Sequence, residues 1–252
     1  MQPALPTPAR STLFARAARP LAVALGALAL VAGCSERAGD GAAVGAGANV
    51  KVDPYIGDVV MGDAAAPVTV VEYASLTCPH CRDFWKQQFP VLKERYIDTG
   101  KVKYILRDFP TAPAPVAVAA AAVARCKGED QYYAVVDDIF SSWHEMMEAA
   151  QSSSGAGPVL VAVGGRHGMT PDEVRACANH RGVQEYIQKV VTEAADRVRA
   201  TPTIFVDDVL VDRHTNENLF AAIDAKLNGG VAPAAPAATD PAAPASATPP
   251  AQ

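Results

Sequence analysis

Two cysteines separated by two residues, Cys78-Pro79-His80-Cys81, carry the spacing in this chain that most directly specifies a chemistry. A thiolate, not a thiol, attacks a disulfide. A working pair therefore needs one sulfur whose charge is stabilised and a second close enough to resolve the mixed disulfide. Cys78 fits the first role. Pro79 suits a first helical position, which would place Cys78 at a helix start, facing free backbone N–H groups and the positive end of the macrodipole. His80 can add a donor or a positive charge there, although a histidine in an exposed loop has by default no such role. Cys81, one turn inward, would resolve. Zinc is the poorer account, because no second C-x-x-C or H-x-x-x-H completes a tetrahedral set. No metal is expected, and no cofactor beyond the redox-active Cys78–Cys81 disulfide.

The flanking pattern says what must hold this pair. Val68–Ala74 (VTVVEYA) is a β-branched run between Pro67 and Ser75, apolar enough for a strand buried on both faces. Glu72 interrupts it. A buried, unpaired carboxylate is costly, so Glu72 either faces solvent on an edge strand or has a partner and a purpose. After the dithiol, Phe84, Trp85, Phe89, Leu92 and Tyr96 recur at near-helical spacing to about Asp98, with a kink expected at Pro90. Residues 101–109 (KVKYILRDF) read as a second strand. Strand, helix, strand favours a parallel pair with a right-handed crossover, placing the dithiol at the strand-to-helix turn.

From about 113 to 199 the chain becomes helix-forming: an Ala/Val-rich helix to Cys126, one from Glu129 to Trp143, others after Pro158 and Pro171, and a long one from Val183. Thr203–Val206 and residues 209–211 read as a hairpin around Asp207-Asp208, and Asn216–Leu227 as a closing helix. The expected class is α/β, with a helical insertion between a strand-helix-strand front and a hairpin-helix end.

The two ends do not read as folded protein. Residues 1–33 carry Arg10, Arg16 and Arg19, no acid, and an apolar run from Leu21 to Ala32, the pattern of an export signal. Val31-Ala32-Gly33-Cys34 resembles the bacterial lipobox, which implies cleavage before Cys34 and lipidation of its thiol. An uncleaved signal anchor, or a signal with an incidental cysteine, is the plainer alternative. Residues 34–49 read as a flexible Gly/Ala tether and 229–252 as a disordered Ala/Pro tail, leaving 50–228 as the folded domain. The formal charge of −5 becomes −8 once three arginines leave with the signal, which argues against nucleic acid as a partner.

Five cysteines are present, and lipidation of Cys34 leaves an even set of four in an oxidising compartment. With Cys78 and Cys81 paired by spacing, Cys126 and Cys177 form either a second bridge, worth about 4 kcal/mol in the chain-entropy model, or two separate buried thiols.

VVEYASLTCPHC, followed far downstream by ATPTIFVDD, resembles the DsbA-like branch of the thioredoxin superfamily across about residues 59–227. The resemblance implies a thioredoxin-like fold in which Pro202 is cis and faces the dithiol, shaping with Thr201 the surface that meets substrate backbone. It implies that Glu72 is a buried acid assisting proton movement. It further implies an envelope oxidase that donates its disulfide to reduced, unfolded exported proteins and is reoxidised by a quinone-coupled membrane partner. Thr201, where the best-known oxidases have valine, also occurs in reducing and isomerising relatives, so a reductase or isomerase stays open. Isomerases of the superfamily commonly carry an amino-terminal dimerisation domain, for which the short tether leaves no room; a lipid-attached monomer is expected. A non-catalytic lipoprotein that binds clients is the remaining alternative, against which the intact CPHC argues.

Overall fold

The computed structural model of the protein describes residues 50–212 and 215–230. The signal, Cys34, the tether and residues 231–252 of the tail lie outside the described residues.

Five strands form one sheet among the described residues, in the order β1 (Val60–Met61), β3 (Val102–Asp108), β2 (Val68–Ala74), β4 (Thr203–Val206), β5 (Val209–Leu210). β2 and β3 are parallel and the other pairs antiparallel. β2 is therefore central. Its alternation puts Val68, Val70, Glu72 and Ala74 on one face, in the larger core, while Tyr73 packs with Phe205, Val190, Ala194 and Val198 on the other. β1 escaped the sequence reading because two residues show no period.

The helical run after the dithiol departs from the expected single kinked helix. It begins as α1 (Pro79–Asp83), widens to a π-turn at Phe84–Gln88, continues as α2 (Phe89–Leu92) and widens again at Lys93–Ile97. Pro90 has no N–H to give the preceding turn, and the ladder beside it shifts: Phe89 N bonds Phe84 O, five residues back. The distortion is thus spread along the run.

Six helices make up the insert: α3 (Ala114–Arg125), α4 (Glu129–Ser141), α5 (Trp143–Ala149), α6 (Gly157–Arg166), α7 (Pro171–Ala178) and α8 (Arg181–Ala194). The expected helix from Glu129 to Trp143 stops earlier, because Ser141 Oγ turns back to Asp137 O at 2.8 Å and Ser142 leaves the helical region. α7 starts on a capping box between Thr170 and Glu173. Cys126, at the end of α3, is bridged to Cys177 in α7, with Cα atoms 6.0 Å apart. The hairpin turn runs through Asp207 and Asp208, both at positive φ (44° and 67°), and Asp207 Oδ1 also accepts Thr69 N at 2.8 Å, fastening the turn to β2. α9 (Asn216–Leu227) closes the fold against β2 and β4.

One polar cluster was invisible in the sequence. Arg125, fully buried, donates through Nε and a terminal nitrogen to Asp108 Oδ2 (2.9 and 2.7 Å) and through its other nitrogen to Gly57 O (2.8 Å). Its guanidinium lies 4.6 Å from the Tyr186 ring centre. One side chain thus ties the entering segment, the end of β3 and the insert together.

Candidate active site

β2 delivers the chain to the dithiol through a short polar knot. Ser75 Oγ lies 2.9 Å from Thr77 Oγ1 and accepts Thr111 N at 3.1 Å, while Thr77 Oγ1 donates to Thr111 O at 3.2 Å. Cys78 N bonds Ser75 O at 3.0 Å. Cys78 has extended backbone angles, and the helix begins immediately after it at Pro79. The turn therefore aims the Cys78 sulfur at the backbone N–H groups that the helix leaves unpaired.

Both thiols are free and buried, but their environments are opposite. Cys78 is pulled down from 9.0 to about 5, first by a hydrogen bond from the Cys81 thiol and, against desolvation, by Thr201 and the backbone N–H groups of Cys81 and His80. Thr201 meets this sulfur with two groups. Its carbonyl accepts from the Cys78 thiol at 3.3 Å, and its buried side-chain hydroxyl, close to the same sulfur, favours the thiolate. Cys81 is pushed far above the ordinary thiol range, by burial first, then by its bond to Cys78 and the negative charges of Glu72 and Cys78. Ser75 N, 3.5 Å from Cys81 Sγ, only partly offsets this.

Glu72 sits inside the sheet rather than at an edge. It is 1% exposed and pairs in register with Leu106 of β3 and Ile204 of β4. Burial pushes its carboxyl up to about 8; the Tyr104 hydroxyl, which donates to Oε2, pulls the other way, and the Cys78 charge adds to the rise.

The Thr201-Pro202 peptide is cis. Thr201 and Pro202 form one wall of a cavity of about 360 Å³ with Ala200; His80, Asp83, Phe84 and Gln88 of the dithiol helix form the other. His80 is exposed at its rim. Arg82, on the same helix, stacks 4.6 Å from the Trp143 ring centre and meets His144 Nε2 at 2.7 Å, which fastens α5 beside the dithiol. A larger cavity of about 650 Å³ lies among α3, α6 and α7, but its lining holds no nucleophile and no acid or base near neutrality.

The structure thus brings together Cys78, His80, Cys81, Glu72, Thr201 and Pro202, from segments more than a hundred residues apart. It places Cys126 and Cys177 in the insert, and Cys34 is outside the described residues. The sequence reading missed Tyr104, the Ser75-Thr77-Thr111 knot and Gln88. Tyr104 looked like one more apolar-face residue of β3; the only signal was that Glu72 needed a polar neighbour on its own face of the adjacent strand.

Comparisons with known proteins agree with this fold. A family model described as Thioredoxin matches residues 55–225. A Rickettsia typhi protein, assigned by name as a protein-disulfide oxidoreductase, is 31% identical over 176 residues, 68% of this chain and 62% of that protein. The chain therefore spans less than two thirds of that relative's length. Among solved structures, Wolbachia pipientis α-DsbA1 superposes with a TM-score of 0.60 at 27% identity, covering 70% of this chain and 94% of that one. Oxidised BdbD of Bacillus subtilis, at 23% identity, shares the fold with a TM-score of 0.61 over 71% of this chain and 98% of its own. The chain belongs to the thioredoxin superfamily, in its DsbA-like branch.

Proposed function

We propose that this chain is an envelope thiol-disulfide oxidoreductase that donates the Cys78–Cys81 disulfide to reduced, unfolded exported proteins. The observation that carries the reading is the opposite treatment of the two sulfurs: Cys78 held as thiolate, Cys81 held as thiol. Magnitudes favour donation over reduction. Lowering Cys78 from 9.0 to about 5 raises its thiolate fraction at pH 7 about a hundredfold. Over the same interval intrinsic nucleophilicity falls by about 40- to 100-fold, for a Brønsted slope of about 0.4–0.5. As an attacking group Cys78 gains almost nothing. As a leaving group it gains fully, because the mixed disulfide expels a thiolate that is already stable.

The sequence of bonds follows. A client thiolate attacks Cys78 Sγ, the Cys78–Cys81 bond breaks, and its electron pair goes to Cys81 Sγ. Glu72, protonated at neutral pH, supplies the proton that the buried Cys81 sulfur requires. A second client thiolate then attacks the client's own sulfur in the mixed disulfide and releases the Cys78 thiolate. Two electrons pass to the enzyme and the client gains one disulfide. Pro202 and Thr201 hold client backbone against this sulfur. A quinone-coupled membrane partner restores the disulfide.

Thr201 favours a second reading, reductase or isomerase, because a hydroxyl beside the attacking sulfur also serves those relatives. Absorbance of the thiolate near 240 nm, followed through pH, discriminates. A transition near 5 that disappears in Cys78→Ser supports the donor, and a transition near 8 or 9 supports the reductase.

Anchoring through a lipid on Cys34 belongs to the same proposal. Cys34→Ser is expected to stop incorporation of labelled fatty acid and to block maturation; unchanged labelling eliminates the anchor.

A further inference from the structure

We infer that Tyr104 is a positioning residue for thiol-disulfide exchange: its buried hydroxyl holds the Glu72 carboxyl that handles the Cys81 proton. The inference rests on the reading of Glu72 as proton carrier given above.

Register places the two side chains on one face of the sheet. Val70 lies opposite Tyr104 and Glu72 opposite Leu106 in the parallel pair, so Tyr104 is the same-face neighbour one pleat back from Glu72. Its hydroxyl donates to Glu72 Oε2, and both residues are shut from solvent. The ring cannot swing aside. It is wedged against Phe89 (centroids 4.8 Å apart), Tyr133 (5.9 Å) and Trp85 (6.5 Å), two of which belong to the helical run that starts at the dithiol. The hydrogen bond is therefore part of the packed core.

The surrounding groups show what this donor contributes. From the dithiol helix Glu72 faces Cys78 and Cys81; from β3 it faces Tyr104; from β4 its register partner is the apolar Ile204. From α4 comes Tyr133, whose hydroxyl is committed to Val59 O at 2.7 Å. The influences on the carboxyl are burial, Tyr104 and Cys78, none of them a cation. A cation here would ionise the acid outright, and a purely apolar neighbour would let burial drive it higher still. A neutral hydroxyl donor does neither. It leaves Glu72 protonated at neutral pH, ready to protonate Cys81 Sγ as the Cys78–Cys81 bond breaks. Afterwards the same O–H steadies the carboxylate that remains.

The sign is fixed by which form the donor prefers. Tyr O–H stabilises the carboxylate, so Tyr104→Phe must raise the midpoint of Glu72, by about one to two pH units. The oxidised protein, labelled with ¹³C at glutamate Cδ, reports that midpoint directly by NMR. Reaction of the oxidised protein with a reduced two-cysteine peptide from pH 5 to 10 reports the consequence. The rate of Tyr104→Phe relative to the parent is expected to climb with pH above the parent's Glu72 midpoint, about tenfold for a one-unit shift and more for a larger one, because there the variant keeps its proton and the parent loses it. Glu72→Gln/Tyr104→Phe leaves no ionisable carboxyl beside position 104, so it remains testable if Tyr104→Phe alone folds poorly. Its rate relative to Glu72→Gln must be flat across pH.

If Glu72→Gln alters the profile while Tyr104→Phe leaves both the midpoint and the rate ratio unmoved, the role of Tyr104 is refuted and that of Glu72 stands. A sloping ratio in the double variant likewise refutes it, because Tyr104 would then act without Glu72. If Glu72→Gln keeps the parent profile, the proton role of Glu72 falls and the inference falls with it.

Discussion

Cys78→Ser will bring disulfide transfer down to background, a loss of about 10³-fold or more, and will leave Cys81 unreactive towards a small disulfide reagent at pH 7. The second half of that result is the diagnostic one. Cys81 is fully buried, and burial, the strongest of the influences that hold it as a thiol, persists when Cys78 is replaced, so it cannot substitute for its neighbour. Cys81→Ser should behave in the opposite way. The introduced hydroxyl can still donate to the Cys78 thiolate in place of the Cys81 thiol, and the backbone N–H groups and Thr201 remain. The lone sulfur will therefore still react, and the mixed disulfide it forms will persist, because no second sulfur lies within reach to displace the partner. Non-reducing gels after mixing with a client containing a disulfide would show a trapped adduct for Cys81→Ser and none for Cys78→Ser. Equal adducts from both variants would contradict the assignment of roles.

Arg125→Met is expected to destabilise the domain by about 3–5 kcal/mol, measured by denaturant unfolding. The basis is the buried pair with Asp108, whose side chain is 3% exposed while that of Arg125 is fully enclosed. Removing the guanidinium leaves a carboxylate in the core without its two short hydrogen bonds, and also orphans Gly57 O. Removing both charges should be far milder. Arg125→Met/Asp108→Leu is predicted to recover a large part of the loss, since an apolar pair of similar volume carries no desolvation penalty. If the double variant is as unstable as the single one, the pair matters through packing rather than through charge.

The parts of the fold legible in the sequence are those with local patterns. Val68–Ala74 and Asn216–Leu227 lie where β-branching and helical spacing place them, and the Asp207-Asp208 turn follows from its two aspartates. What was not legible depends on contacts between distant segments. Nothing local marks Arg125 as buried; its partners are Asp108 and Gly57, on other elements. The π-turns flanking Pro90 are a compromise between a missing donor and the packing of Trp85, Phe89 and Tyr96, and periodicity alone cannot choose between a kink and a widened helix. At the site, the motif residues were legible because the dithiol and the Thr201-Pro202 segment have distinctive types. Tyr104 was not, because a tyrosine on an apolar strand face reads as core until the acid beside it is placed.

The reduction potential of the Cys78–Cys81 couple, measured at pH 7 by equilibration with glutathione, tests the central claim most directly. A thiolate stabilised in the reduced protein makes the disulfide a strong oxidant, so a value above about −200 mV, towards the −120 mV or so of DsbA, is predicted. A value near the −270 mV or so of thioredoxin would contradict the account and make this chain a reductant.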